Sequence, residues 1–163
     1  MDALDKIVTL EDLVNRLGKV RKSGRKIVFT NGCFDIMHVG HVRYLAGARS
    51  QGDILIVGLN SDGSMRTIKG EKRPIVGQDQ RAEVLASLAC VDYVVLFEEP
   101  DPLRLIQTIK PDVLVKGADW AADAIVGADD VKSRGGKIVR ISFIEETSTT
   151  GIIQTILQRY QGD

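Results

Sequence analysis

Apolar residues in this chain follow two alternating rhythms. Short runs rich in β-branched residues, Lys26–Thr30 (KIVFT), Ile54–Leu59 (ILIVGL), Tyr93–Phe97 (YVVLF), Asp112–Lys116 (DVLVK) and Lys137–Phe143 (KIVRISF), read as strands. Several are apolar at nearly every position, the pattern of parallel strands covered on both faces. Between them the spacing turns helical. Leu10, Leu13, Val14 and Leu17 stand at i, i+3, i+4, i+7 behind Thr9 as a cap, with Gly24 soon after. Further helices are predicted over Val39–Ser50, stopping near Gly52, and over Gln78–Ala89, marked by Leu85 and Leu88. A fourth opens at Asp101 as N-cap with Pro102 in its first turn, and a fifth covers Val126–Arg134 before Gly135-Gly136. The last has Ser148 near its cap and carries Ile152, Ile153, Ile156, Leu157 and Tyr160 on a helical repeat.

This alternation predicts an α/β fold: a Rossmann-like, doubly wound parallel sheet with right-handed crossovers. The whole chain, 1–163, reads as one domain, with residues 1–25 forming an N-terminal helix that leads into the first strand. Such sheets bind ligands beyond the carboxyl ends of their strands, where strand order reverses, so the loops after each strand carry the chemistry.

Composition narrows the function classes. Apolar residues make up 44% of the chain, which excludes disorder. Lys plus Arg equals Asp plus Glu at 22 each, so no global charge drives adhesion to nucleic acid or anionic lipid. Arg16, Lys19, Arg21, Lys22, Arg25 and Lys26 are dense for their stretch. Three of them suit the polar side of the first helix, and no series of stacking aromatics accompanies them, so no nucleic-acid partner is expected. The N-terminus MDALDKIVTL has no signal-peptide pattern, and no run approaches the ~20 apolar residues of a membrane span. A soluble, cytoplasmic protein without a membrane partner is expected. Two cysteines are too few for a disulfide scaffold or a four-thiolate zinc site, and Cys90 reads as a small core residue.

Both histidines fall in one tetrapeptide, His38-Val39-Gly40-His41, directly after the first strand and the turn Asn31-Gly32-Cys33-Phe34-Asp35. At i, i+3 on the first turn of a helix the two rings share a side. Gly40 between them lets a bulky group approach the backbone, and a helix N-terminus favours phosphate. The physical reading is a polyphosphate cradle. The competing reading is zinc, with Cys33 or Asp35 as third ligand. The chain has no H-E-x-x-H pattern and no third histidine, so no resident metal is expected. Elsewhere the residues admit two readings each. Lys69, Lys72 and Arg73, in a Gly/Pro-punctuated loop, are phosphate clamps or solvated cations. Arg81 is a substrate contact or a surface helix charge. Asp119 and Trp120 touch ligand or form a turn and a core aromatic. Ser148-Thr149-Thr150 grips phosphate or simply caps its helix.

Gly32-Cys33-Phe34-Asp35 followed by His38-x-Gly40-His41 resembles the signature of the cytidylyltransferase-like nucleotidyltransferase superfamily. Gly58-Leu59-Asn60-Ser61-Asp62, Lys69–Pro74, Arg81, Val91-Asp92, Lys116-Gly117-Ala118-Asp119-Trp120 and Ser148-Thr149-Thr150 fit the same pattern in order. Within that superfamily the wording looks most like the adenylyltransferases that make ADP-heptose. The resemblance implies transfer of AMP from ATP to a heptose 1-phosphate, giving ADP-heptose and pyrophosphate for lipopolysaccharide or related glycan precursors. It implies His41 on the α-phosphate and His38 on the triphosphate. It further implies Thr30, Asn31, Gly32, Cys33, Phe34, Gly40, Gly117, Asp119, Ser148, Thr149 and Thr150 around the nucleotide, and Asp35, Asn60, Lys69, Arg73, Arg81 and Trp120 around the acceptor. Mg²⁺ would arrive with ATP, and a homodimer is in keeping with the family. Two departures stand out: Cys33 replaces a common Thr, and Ile144-Glu145-Glu146-Thr147 lacks the Arg of the R-T-E-G-I segment in glycerol-phosphate cytidylyltransferases. Cytidylyl transfer to glycerol 3-phosphate or another small phosphate, and a nucleotide-binding sensor without turnover, are the alternatives.

Overall fold

A computed structural model describes residues 2–142 and 147–161. Its strands are β1 (Ile27–Gly32), β2 (Ile54–Asn60), β3 (Tyr93–Phe97), β4 (Val113–Gly117) and β5 (Lys137–Ile141). All pair in parallel in the order β3-β2-β1-β4-β5. The helices are α1 (Leu10–Lys22), α2 (Val39–Arg49), α3 (Asp62–Lys69), α4 (Gln78–Ser87), α5 (Leu103–Ile109), α6 (Ala128–Ser133) and α7 (Thr149–Tyr160), with 3-10 turns at Leu4–Lys6 and Ala122–Ala124.

Strand periodicity builds a core on each side of the sheet. Ile27, Phe29, Ile54, Ile56, Val95 and Leu114 pack with Leu13 and Leu17 of α1, Leu105 and Ile106 of α5 and Val131 of α6. Val28, Leu55, Val57, Leu59 and Val94 face the other way, onto Tyr44, Leu45 and Ala48 of α2 and Ala82 and Leu85 of α4. Each fully buried aliphatic side chain contributes about 1.5–3 kcal/mol, so double coverage explains why these strands are apolar throughout. The chain proceeds from β1 outward through β2 to β3, then crosses to β4 and β5 on the other side of β1. Strand order therefore reverses between β1 and β4, and a crevice opens above their carboxyl ends.

Local signals act as expected at most ends. Thr9 Oγ1 accepts from Asp12 N at 3.2 Å, and Gly24 follows α1 with φ +71°. Asp101 Oδ1 accepts from Leu103 N at 2.9 Å, so the carboxylate serves α5 while Pro102 itself occupies the cap position. Gly127, at φ +82°, precedes α6 where a Cβ would lie 2.7 Å from Ile106 Cδ1.

Several boundaries differ from the sequence reading; β4 shifts by one residue to Val113–Gly117 and α6 shortens to Ala128–Ser133. β1 runs on to Gly32, because Asn31 and Gly32 continue the register opposite Gly58 and Leu59. The α3 helix was not expected; Ser61 caps it by accepting from Ser64 N at 3.1 Å, and Gly70 (φ +93°) ends it. Lys69 is therefore the last residue of a helix rather than part of a loop. The α4 helix stops at Ser87, where Leu88 turns to extended backbone. β5 ends at Ile141; its expected last residue Phe143, and Ile144–Glu146 of the departure from the glycerol-phosphate pattern, lie outside the described residues. Among the described residues no helix is long and apolar enough to cross a membrane.

Candidate active site

The turn from β1 into α2 sets the first wall of the crevice. Phe34 adopts φ +46°, a conformation costing a non-glycine residue of order 1–3 kcal/mol. Its ring lies against Gly32, where a Cβ would sit 2.9 Å from Phe34 Cε2, so only glycine admits the packing. The ring meets His41 edge-on at 5.3 Å between centroids. His38 and His41 stack at 3.9 Å with 25° between planes. His38 also caps α2, its Nδ1 accepting from Gly40 N at 3.1 Å, so a neutral His38 carries its proton on Nε2. Burial, then the neighbouring His38, push His41 down to about 4, and burial lowers His38 as well. Without ligand both rings are neutral at pH 7. Among the described residues His41 Nδ1 is buried with no partner, and so is Thr147 Oγ1. A Cβ on Gly40 would lie 2.8 Å from that Thr147 hydroxyl and 2.9 Å from the His38 ring, which accounts for the glycine.

The N-terminus of α7 reaches the same wall. Ser148 Oγ accepts from Gly151 N at 3.0 Å, and Thr149 Oγ1 donates to Ile36 O at 3.3 Å. Thr149 and Thr150 stand in the first turn, where backbone N–H groups have no intrahelical acceptor. Two helix N-termini and two imidazoles thus meet at one edge of the cleft, an arrangement suited to several negative charges.

The opposite wall is closed on itself. The Asp35 carboxylate is buried and accepts from Arg73 Nε at 2.5 Å, Ile75 N at 2.9 Å and Val76 N at 2.8 Å. Burial alone would raise its pKa, but the bonds from Val76, Ile75 and Arg73 outweigh that and hold it below the usual carboxylate range. Arg81 is 1% exposed. Its Nε donates to Val76 O, its Nη1 to Cys33 O and Asn60 O, and its Nη2 to Asp62 Oδ1 at 2.8 Å. This guanidinium fastens the ends of β1 and β2 to the start of α4. Asn60 Nδ2 donates to Ser64 Oγ at 2.9 Å. Burial holds the Cys33 thiol above its ordinary value against the pull of Lys69, Arg81 and Arg73.

Between these walls lies a cleft of about 660 Å³. Asn31, Gly32, Cys33, Phe34, Asp35, His38 and His41 line it from the β1–α2 segment. Asn60, Lys69 and Arg73 line it from the β2 side, Gly117, Asp119 and Trp120 from the end of β4, and Ser148, Thr149 and Thr150 from α7. Three expected residues do not reach the lining. Thr30 is buried beneath it, its Oγ1 bonded to Tyr44 Oη at 2.8 Å. Gly40 is buried behind the rings. Arg81 is corrected from a substrate contact to a wall strut, since four of its five N–H donors are committed to protein acceptors. Asp35 does line the cleft, but its oxygens are taken by the 73–76 loop, so a sugar hydroxyl is not what it holds.

Eight further residues line the cleft to which sequence reasoning gave no role in a site, among them Tyr44, Thr147 and Lys116. Lys116 is the next-to-last residue of β4, donates to Asn31 Oδ1, and has its ammonium 5.6 Å from the centre of the Trp120 ring. Burial pushes it down to about 8, with Asp119 pulling the other way. Its signal was there to read: a single lysine near the end of an otherwise apolar strand.

Fold and site together define an α/β protein whose cleft opens at its topological switch point, between two helix N-termini. The chain belongs to the cytidylyltransferase-like family, whose model matches residues 29–156, and so stands among the nucleotidyltransferases. It is 52% identical over 155 residues to the bifunctional protein HldE of Geobacter sulfurreducens and 56% identical over 153 residues to that of Campylobacter concisus. These alignments cover 95% and 94% of this chain but only 32% and 30% of those proteins, so the chain spans about a third of their length. A lipopolysaccharide core biosynthesis protein from Thermoplasma volcanium superposes with TM-score 0.62 at 31% identity, over 74% of this chain and 99% of that one. Pantothenate synthetase from Thermus thermophilus reaches TM-score 0.62 at 14% identity, over 90% of this chain and 67% of its own, a likeness of fold alone.

Proposed function

We propose that this chain transfers the AMP group of ATP to a heptose 1-phosphate, releasing pyrophosphate and ADP-heptose. The observation that carries the reading is the stacked His38–His41 pair at the start of α2, tied to the start of α7 by the bond from Thr149 to Ile36. An acceptor phosphate oxygen forms a bond to the α-phosphorus, and the bond from that phosphorus to the bridging oxygen of the β-phosphate breaks. Pyrophosphate leaves with the electron pair. The acceptor is already an anion near neutral pH, because a phosphate monoester has its second pKa at about 6. No general base is needed, and positioning with charge stabilisation suffices.

His41 serves the α-phosphate, the Nε2–H of His38 the triphosphate, and the free amides of Thr149 and Thr150 the terminal phosphates. Asn31–Phe34, Gly117 and Asp119 flank the nucleoside. Asn60, Lys69, Arg73 and Trp120 stand on the acceptor side. Arg73 holds Asp35 through Nε, which leaves its terminal amino groups without a partner among the described residues. Mg²⁺ accompanying ATP would be held by phosphate oxygens and water; among the described residues no group of three His, Cys, Asp or Glu could hold a metal. The likeness to a lipopolysaccharide core biosynthesis protein and to HldE supports a heptose acceptor. A homodimer belongs to the same reading: α7 buries none of its residues and exposes Ile156, Leu157 and Tyr160.

A matrix of nucleoside triphosphates against sugar phosphates, read by pyrophosphate release and product mass, tests the assignment. ATP with a heptose 1-phosphate is the expected pair. Preference for CTP with glycerol 3-phosphate overturns the adenylyl and heptose assignments, and nucleotide binding with no turnover on any acceptor overturns the enzyme itself.

A further inference from the structure

Four cations surround the cleft, and they are not equivalent. Arg73 is ion-paired with Asp35, Arg81 is sealed in the wall against Asp62, and Lys69 is exposed. Lys116 differs from all three. It is 8% exposed, and among the described residues no carboxylate forms an ion pair with it, Asp119 acting on it only from farther away. Its only partners there are a neutral amide oxygen on Asn31 and the face of Trp120. An ammonium has three N–H donors, so two are left over.

Burying a cation without a counter-charge costs several kcal/mol. The fold offers this lysine little compensation, since the preceding residues of β4 are aliphatic, β1 presents the neutral Asn31, and the register partner on β5 is Arg140, another cation. The position has a chemical logic instead. Lys116 and Asn31 are the next-to-last residues of β4 and β1, the two strands between which order reverses. Asn31 is followed within the same turn by the histidine pair. We propose that Lys116 binds a phosphoryl oxygen at the reacting centre of this cleft, either of the nucleotide α-phosphate or of the acceptor monoester, and that Asn31 and Trp120 hold its ammonium ready until the ligand arrives. The proposal rests on the phosphoryl-transfer reading above. Burial lowers the pKa of this lysine more than Asp119 raises it, as expected of a cation drawn out of water without a paired anion.

The test uses the full chain and Lys116→Met, which keeps the length of the side chain and removes its charge. Calorimetric titration with α,β-methylene-ATP and steady-state kinetics with ATP and a heptose 1-phosphate are run beside thermal unfolding. A charge-assisted bond is worth about 1.5–3 kcal/mol, so affinity or kcat/KM falls roughly 10- to 100-fold. A loss in affinity for the nucleotide analogue assigns the α-phosphate, and a loss confined to the acceptor KM assigns the monoester. The melting temperature stays level or rises, because a buried uncompensated charge has gone. Binding and kinetics within threefold of the parent overturn the proposal, as does a loss that appears only together with a lowered melting temperature. Should Lys116→Met not fold, Lys116→Gln carries the same comparison. If the parent binds the analogue but turns over no heptose 1-phosphate, the acceptor assignment fails while the nucleotide arm still decides the role of Lys116.

Discussion

The two walls of the cleft are built on opposite principles. On the side formed by the histidine pair, α7 and the end of β4, polar groups are left over: His41 Nδ1 and Thr147 Oγ1 are buried without partners among the described residues, and Lys116 has donors to spare. Toward β2 nearly everything is matched: Arg73 and the Ile75 and Val76 amides with Asp35, Arg81 with four acceptors, Asn60 with Ser64. Unsatisfied buried polar atoms cost about 1–3 kcal/mol each, and here they gather on one face of one cavity. The matched wall is a frame. The unmatched wall is where a ligand completes the hydrogen bonding.

Substitutions sharpen this contrast. The largest effect is expected at His41→Ala, which should lower turnover by about 10²–10³, the usual loss for a donor to a transition state, while ATP affinity changes little. Unchanged turnover in stopped-time pyrophosphate assays would remove His41 from the chemistry. On the matched wall Arg81→Met should instead cost about 3 kcal/mol of folding stability, because Cys33 O, Asn60 O and Asp62 lose a buried partner. Urea unfolding reads this; a stable variant with a raised acceptor KM would return Arg81 to the substrate side. Arg73→Ala straddles the two walls and should weaken acceptor binding about tenfold, one charge-assisted bond, with a small stability loss from the freed Asp35.

Protonation gives the subtlest separation. An anion beside a histidine favours its charged form, so bound triphosphate raises His41 from about 4. The complex then holds more protons than the free protein, and ATP affinity rises as pH falls through the raised value towards 4. Calorimetry near pH 6 in two buffers of different ionisation enthalpy should show proton uptake on ATP binding in the parent and less in His41→Ala. Equal uptake in both would locate the proton elsewhere. The same depression acts on folding with the opposite sense: the unfolded chain binds the proton more readily, so stability from His41 is lost as pH drops from about 6.5 towards 4.

Much of this was readable in the residues because burial on both sheet faces leaves a plain mark. KIVFT, ILIVGL and YVVLF read plainly as parallel strands, the first two central and the third at the sheet edge, and Thr9 and Ser148 announce their helices. The α3 helix escaped because Asp62–Lys69 is short, contains Gly63 and buries only Met65 among its apolar residues. The site divided along similar lines. A histidine pair at i, i+3 after a strand names its own neighbourhood, whereas the burial of Arg81 depends on three segments, around Cys33, Asn60 and Val76, that meet only in the folded chain. Lys116 was written in the same strand as its apolar neighbours, and its partners Asn31 and Trp120 come from elsewhere in the chain.

The attachment of α7 has one further consequence. This helix, which the proposed function places on the terminal phosphates, fully buries no side chain among the described residues; a threonine hydroxyl on the Ile36 carbonyl fastens its first turn. The sheet can therefore fold to nearly full strength whether or not α7 is seated. Nucleotide, bridging α2 and α7, becomes the adhesive between them, and slower amide exchange at the first turn of α7 would follow its arrival.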